Sequence, residues 1–226
     1  MTSVPEQAAE REISVTVPLP AGPVEIPVVI GEVDGAEATV IVAHGAGAGK
    51  DHPFLTGFTD ALRREGLSTV RFDFPYVVAG RHMPGPATHA ILAWRAVVDA
   101  VPGTGIVVGG GKSYGGRMAS MAAAEGLAVD ALVYLGYPLH PPGRPEKPRT
   151  AHLSAVAVPQ LFIEGANDPF IQPLAQFDEA VAMCRDARVT WVEGGGHSFE
   201  VKGHARPADE IGASLAPAVA DFVRTL

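Results

Sequence analysis

Residues 105–120 read GIVVGGGKSYGGRMAS, and this stretch decides the fold. Gly105–Val108 is a short apolar run of strand type, and Tyr114 to about Glu125 has the pattern of a helix. Between them lies Gly111-Lys112-Ser113-Tyr114-Gly115, a G-x-S-x-G pattern set on strand, turn and helix. So sharp a turn forces the serine into a strained backbone conformation. The residues two positions to either side must then be small, hence Gly111 and Gly115. Gly109, Gly110 and Gly116 add room for a helix packed closely on a strand. The turn lifts the Ser113 hydroxyl beyond the carboxyl end of the strand, with the helix N-terminus beneath it.

The same alternation extends both ways along the chain. Residues 12–19 and 24–30 alternate apolar and polar around the turn Pro20-Ala21-Gly22-Pro23 and predict an antiparallel hairpin, with Pro27 pushing the second strand toward an edge. Ala38–Ala43 is apolar throughout, as a strand buried on both faces requires. A helix is predicted from Pro53 to Glu65, a strand over Ser68–Phe72 and a helix over Ala87–Val101, stopped by Pro102. Strands follow at Ala131–Leu135, Gln160–Ile163 and Val189–Val192, with helices over 172–185 and 209–225. Residues 137–157 form a proline-rich connection with at most one short helix. Strands alternating with helices of this length make βαβ units around a parallel sheet. The expected fold is α/β: a mostly parallel eight-stranded sheet with helices on both faces and no cap domain. No repeat or linker divides residues 1–226, so one domain is expected, with residues 1–11 as a flexible N-terminus.

Composition narrows the function. The chain has 226 residues and a formal charge of −8, a poor match to sequence-independent binding of nucleic acid, which needs clustered Lys and Arg. With 47% apolar and 19% charged residues it is not a disordered chain. The single cysteine, Cys184, excludes an intramolecular disulfide and a cysteine zinc site, and it reads as packing. No basic and apolar leader and no run of 18 apolar residues are present, so the expected location is cytoplasmic, with no membrane partner. Trp94, Trp191 and the phenylalanines read as core.

Ligands of an open α/β sheet sit beyond the carboxyl ends of the strands, where the glycine clusters fall. Phosphate-loop readings fail there. For Lys112-Ser113 the required first glycine is Ile106; for Gly49-Lys50 it is His44, and Asp51 follows where Ser or Thr is needed. The dinucleotide pattern G-x-G-x-x-G fails at Lys50 and at Tyr114. No cofactor and no metal are expected.

A serine hydroxyl needs a base, and the order Ser, acid, His is met by Ser113, Asp168 and His197. Asp168 follows the strand Gln160–Ile163, and His197 follows Val189–Val192. Glu164 is the fallback acid, and His152 and His204 are less well placed. The proposed roles are nucleophile, tautomer-fixing acid and general base. Negative charge developing on a substrate carbonyl would be received by the backbone N–H of Tyr114 and of Ala46, with Gly45 as runner-up, from the loop His44–Gly49. The simpler readings are a turn-initiating Asp before Pro169, a surface histidine and plain glycine-rich turns.

The chain resembles the α/β-hydrolase superfamily over nearly its whole length. The segments that carry the resemblance are His44–Phe54 (HGAGAGKDHPF), Arg71–Tyr76 (RFDFPY), Gly111–Ser120 (GKSYGGRMAS), Leu135–Leu153, Gly165–Phe170 (GANDPF) and Gly195–Phe199 (GGHSF). Within it, the chain looks most like a lidless branch near dienelactone hydrolase that also holds the hydrolase-like domain of the third subunit of the NSL histone acetyltransferase complex. The resemblance implies hydrolase chemistry at Ser113, Asp168 and His197, and it implies no particular substrate. Dienelactone hydrolase itself has a cysteine nucleophile, where this chain has Ser113.

Residues 137–159 are too short for a helical cap, and prolines 138, 141, 142, 145 and 148 make them stiff. This segment holds His140, Arg144, Lys147, Arg149 and His152, while Lys50, Lys112 and Arg117 lie beside the other site loops. His44, Lys112, His140, Arg144 and Arg149 form a possible rim for an anionic substrate. The plainer reading pairs these charges with nearby carboxylates or solvent. Asp73 reads as structural. Two functions remain open: a serine hydrolase for a small ester, thioester or related acyl group, and a silent scaffold that binds a partner protein or ligand. Peptide hydrolysis lacks a visible pocket. Oligomeric state is not readable from the sequence.

Overall fold

A computed structural model describes residues 10–101 and 105–226. The chain begins with a hairpin, β1 (Arg11–Leu19) and β2 (Gly22–Gly31), and continues with β3 (Ala38–Ala43), α1 (Pro53–Arg64) and β4 (Ser68–Phe72). Then come α2 (Pro75–Val78), α3 (Ala87–Ala100), β5 (Ile106–Lys112), α4 (Tyr114–Ala124) and β6 (Ala131–Leu135). A 3₁₀ turn at Leu153–Ala155 precedes β7 (Gln160–Gly165), α5 (Leu174–Ala182) and β8 (Ala187–Val192), and the chain closes with α6 (Ala208–Ala213) and α7 (Ala216–Val223).

The strands form one sheet in the order β1-β2-β4-β3-β5-β6-β7-β8. β1 and β2, and β2 and β4, pair antiparallel, and every other pair is parallel. Alternate residues feed two cores. Ile41, Leu132 and Tyr134 point to one face, where Trp94 of α3 and Met118 of α4 are buried. Val40, Val42 and Val133 point to the other, against Phe58 and Leu62 of α1 and Val219 of α7. Each such large side chain removed from water contributes about 1.5–3 kcal/mol, which offsets the entropy of ordering the layers. All the parallel strand ends that carry the glycine-rich turns open on one edge of this sandwich. Among the described residues no helix is long and apolar enough to cross a membrane.

Several expectations change. Pro27 does not make β2 an edge, because β2 lies between β1 and β4. The Pro27 carbonyl accepts from Asp73 N–H at 3.3 Å, so its nitrogen faces the same side, just beyond the last laddered pair, Val28↔Phe72. The missing donor therefore falls at the end of the β2–β4 ladder, where it leaves at most one inter-strand bond unmade. β5 does not stop at Val108 but runs through the glycine cluster to Lys112, since Gly111 pairs with Ala43 on one side and Tyr134 on the other. β7 likewise continues through Glu164 and Gly165. The closing helix is two helices, because Pro217 in the first turn of α7 has no N–H for the carbonyl of Ala213. Trp191 sits on edge strand β8 and is exposed, with only one side against Phe177. Of the supposed flexible N-terminus, residues 1–9 lie outside the described residues. Glu10 instead pairs with Arg63 and Arg71, and Arg11 opens β1. Pro102 also lies outside the described residues, and α3 ends before it at Ala100.

Candidate active site

Ser113 is the residue between β5 and α4, with φ 49° and ψ −112°. A side chain so placed costs on the order of 1–3 kcal/mol and persists only if its surroundings hold it there. They do. Ser113 N–H donates to Leu135 O at 3.0 Å, and Ser113 O accepts the first helical bond, from Arg117 N–H at 3.0 Å. The flanking glycines are sterically required. A Cβ on Gly111 would stand 2.1 Å from Ala43 O, and one on Gly115 would stand 2.3 Å from the same oxygen. The pattern G-x-S-x-G thus records a helix start pressed against the end of β3.

The Ser113 hydroxyl faces the loops after β7 and β8. Its Oγ lies 2.8 Å from His197 Nε2, and His197 Nδ1 lies 2.6 Å from Asp168 Oδ2. Asp168 is fully buried, and its other oxygen accepts from Phe170 N–H at 2.7 Å. Asn167 N–H donates to Gly195 O at 2.8 Å, which ties the acid's loop to the histidine's loop. Phe170 stacks on the imidazole at 3.9 Å between ring centres. Burial, opposed by the hydrogen bond to Asp168, holds His197 below the ordinary histidine range. The ring is then neutral at pH 7. Asp168 accepts the Nδ1 proton, and the Nε2 lone pair is left for the serine O–H. Behind the ring, Lys112 Nζ donates to His197 O at 2.7 Å. Burial lowers this ammonium to about 8.

Tyr114 is the first residue of α4, so its N–H is one of those a helix leaves without an internal acceptor. The loop after β3 passes close by: a Cβ on Gly45 would lie 3.8 Å from Ser113 Cβ. Ala46 is exposed at the turn closed by Ala48 N–H on Gly45 O at 3.3 Å. Ser113, His197, Gly45 and Ala46 all line a cavity of about 600 Å³. Phe54, Leu55 and Ile211 make an apolar wall, and Lys112, Arg117 and Arg149 bring basic groups to it. Among the described residues, no group of three or more His, Cys, Asp or Glu is placed to hold a metal ion.

Residues 36–224 match the alpha/beta hydrolase domain family. The chain belongs to the alpha/beta hydrolase family. The hydrolase is similar in fold to the dienelactone hydrolase of Anabaena variabilis, at 22% identity over 96% of this chain and 98% of that one, with a TM-score of 0.72. It is also similar to a serine hydrolase without a lid from Xanthomonas campestris, at 24% identity over 95% and 94% of the two chains and a TM-score of 0.69. A third is Est1E from Butyrivibrio proteoclasticus in its ferulic acid-bound structure, at 15% identity over 89% and 95% and a TM-score of 0.68. In the hydrolase, residues 137–159 hold only the 3₁₀ turn, and no separate cap covers the cavity.

Not every residue singled out in the sequence of the hydrolase reaches this site. His44 is fully buried: its Nε2 accepts from Phe74 N–H at 3.3 Å, so Nδ1 carries the proton toward Gly45 O at 2.8 Å. It lines the floor of the cavity while propping this loop, and it offers no charge there, since burial lowers its pKa. Asp73 holds the same loop by accepting from Lys50 N–H at 2.7 Å. His140 is fully buried with ring nitrogens on Pro141 O and Gln172 O, at 2.8 and 2.7 Å, and pins the proline-rich segment. Arg144 is exposed and does not line the cavity. Lys50 pairs with Asp51 and Glu12. Glu164 is not the partner of His197. It is fully buried, accepts from Tyr137 N–H at 2.7 Å, and burial pushes its carboxyl well above the usual range. Phe170 and Arg206 also line the cavity, and the sequence alone marks neither as a site residue. No spacing signal marks a ring that packs on a histidine from another loop.

Proposed function

We propose that this hydrolase cleaves a small ester, thioester or related acyl substrate through an acyl-enzyme on Ser113. The observation that carries the reading is the unbroken run from Ser113 Oγ to His197 to buried Asp168, at 2.8 and 2.6 Å, around a neutral imidazole. His197 Nε2 takes the hydroxyl proton as Oγ bonds to the carbonyl carbon. The carbonyl oxygen becomes an oxyanion facing Tyr114 N–H and Ala46 N–H. Loss of one such donor typically lowers kcat by about 10²–10³. His197 then gives the proton to the leaving alcohol or thiol as its bond to carbon breaks. A water, deprotonated by the same nitrogen, releases the acid and restores Ser113. Asp168 keeps Nδ1 protonated and balances the imidazolium charge that forms at each step. The hydrolases and esterases of the same fold support this reading.

A fluorophosphonate probe tests it. Folded wild-type protein is expected to label, and Ser113→Ala is expected neither to label nor to hydrolyse p-nitrophenyl esters above about 10⁻⁴ of the wild-type rate. Absence of labelling in folded wild-type protein overturns the reading.

A further inference from the structure

Arg117 and Arg149 both line the cavity, half-buried, one from α4 and one from the proline-rich segment. Among the described residues neither has a carboxylate within ion-pair distance. The Nε of Arg117 is buried and has no acceptor there. Burial and the like charge of Arg149 both work against the charge of Arg117. Two guanidinium groups held together, partly out of water and without a counter-ion, are costly unless an anion joins them. The cavity's other charges do not fill that need. Arg206 pairs with Glu210 at 3.8 Å, and Glu200 is exposed on the histidine loop.

The two arginines are also positioned. Ser120 Oγ donates to Arg117 O at 2.7 Å, so the 2.7 Å contact between Ser120 Oγ and His152 Nε2 has histidine as donor. Burial lowers His152 to about 4, consistent with a neutral ring protonated on Nε2. This second Ser–His pair therefore has the wrong polarity for a nucleophile and base, and its serine is fully buried. Tyr137 OH donates to Arg149 O at 3.4 Å and lies 3.3 Å from the same His152 nitrogen. One polar cluster thus fixes the main chain at both arginines. Arg117 also stands one helical turn from Ser113 on the same face of α4.

The geometry points to an anion subsite: Arg117 and Arg149 receive a carboxylate carried by the acyl substrate whose carbonyl meets Ser113. This rests on the acyl-enzyme reading above and names its substrate class. Planar guanidinium forks match a carboxylate's two oxygens, and the cavity has an apolar wall for the carbons between the two groups.

The test compares p-nitrophenyl hydrogen glutarate with p-nitrophenyl valerate, each corrected for uncatalysed hydrolysis. The carboxylated ester is expected to have at least a tenfold higher kcat/KM, carried mainly by KM. Arg149→Gln and Arg117→Gln, each checked for folding by circular dichroism, are expected to lower that charged-to-neutral ratio about tenfold or more. His152→Ala, which acts only through the cluster, is expected to lower it less, with the change in KM. Hydrolysis of both esters with no preference, or a preference that survives both arginine variants, overturns the subsite and leaves the acyl-enzyme reading standing. Hydrolysis of neither ester by folded protein overturns the acyl-enzyme reading itself.

Discussion

At the scale of single residues, His197 couples structure to pH. In the proposed mechanism the imidazole takes a proton from Ser113, which it can do only while its own Nε2 is unprotonated. Burial holds its pKa below the ordinary value of about 6.5. Protonation on acidification removes the base, so kcat/KM falls as pH drops through the histidine's pKa. The midpoint of that acid limb is expected below pH 6.5; a midpoint above 6.5 in a pH–rate profile contradicts the assignment. Such a residue is legible in a sequence because it follows a strand directly and is ringed by glycine. Ser113, Asp168 and His197 each sit just past a strand end, and the sheet gathers those ends. Phe170, stacked on His197, carried no comparable mark. Nor did the contrast between His140, locked between two carbonyls, and Arg149, which reaches the cavity. Both are polar residues of one proline-rich run, and only tertiary contacts separate them.

At the scale of elements, helix α4 and strand β3 depend on the absence of one methyl group. Gly→Ala within a helix normally stabilises by about 1 kcal/mol. Gly115→Ala should do the opposite, because its Cβ would meet Ala43 O at 2.3 Å and neither backbone can yield. Urea denaturation is expected to show a loss of ~1–3 kcal/mol, the range for overpacking. A gain would mean that α4 does not press on β3 as described. Element boundaries were less readable than element types. Glycine lacks an apolar side chain, so Gly109–Gly111 gave no strand signal although they pair on both sides. The break in the last helix was readable, since Pro217 is in plain view, but a continuous apolar face on either side concealed it. Pro27 misled for the opposite reason. A proline's place in a ladder depends on which neighbour its nitrogen faces, and that is set by register.

At the scale of the whole molecule, the site belongs to the sheet and to no added domain. The order of strands brings loops from β3, β5, β7 and β8 to one edge, and the short run from 137 to 159 leaves that edge uncovered. This much followed from the alternation of strands and helices and from the length of one connection. The sign and position of the charges at the cavity did not. A formal charge of −8 describes the surface on average, whereas Lys112, Arg117 and Arg149 meet at one opening. The segment that crosses this opening is also fastened, by His140 to Gln172 and by His152 to Ser120. A fastened rim is an aperture of constant width. Its reaction should need no oil–water boundary to begin: progress curves with p-nitrophenyl butyrate should start without a lag, and rates should saturate smoothly, with no jump when an ester passes its solubility limit. Selection by girth is then expected at that opening: branched-chain p-nitrophenyl esters should show a lower kcat/KM than their straight-chain isomers, and equal values would contradict it.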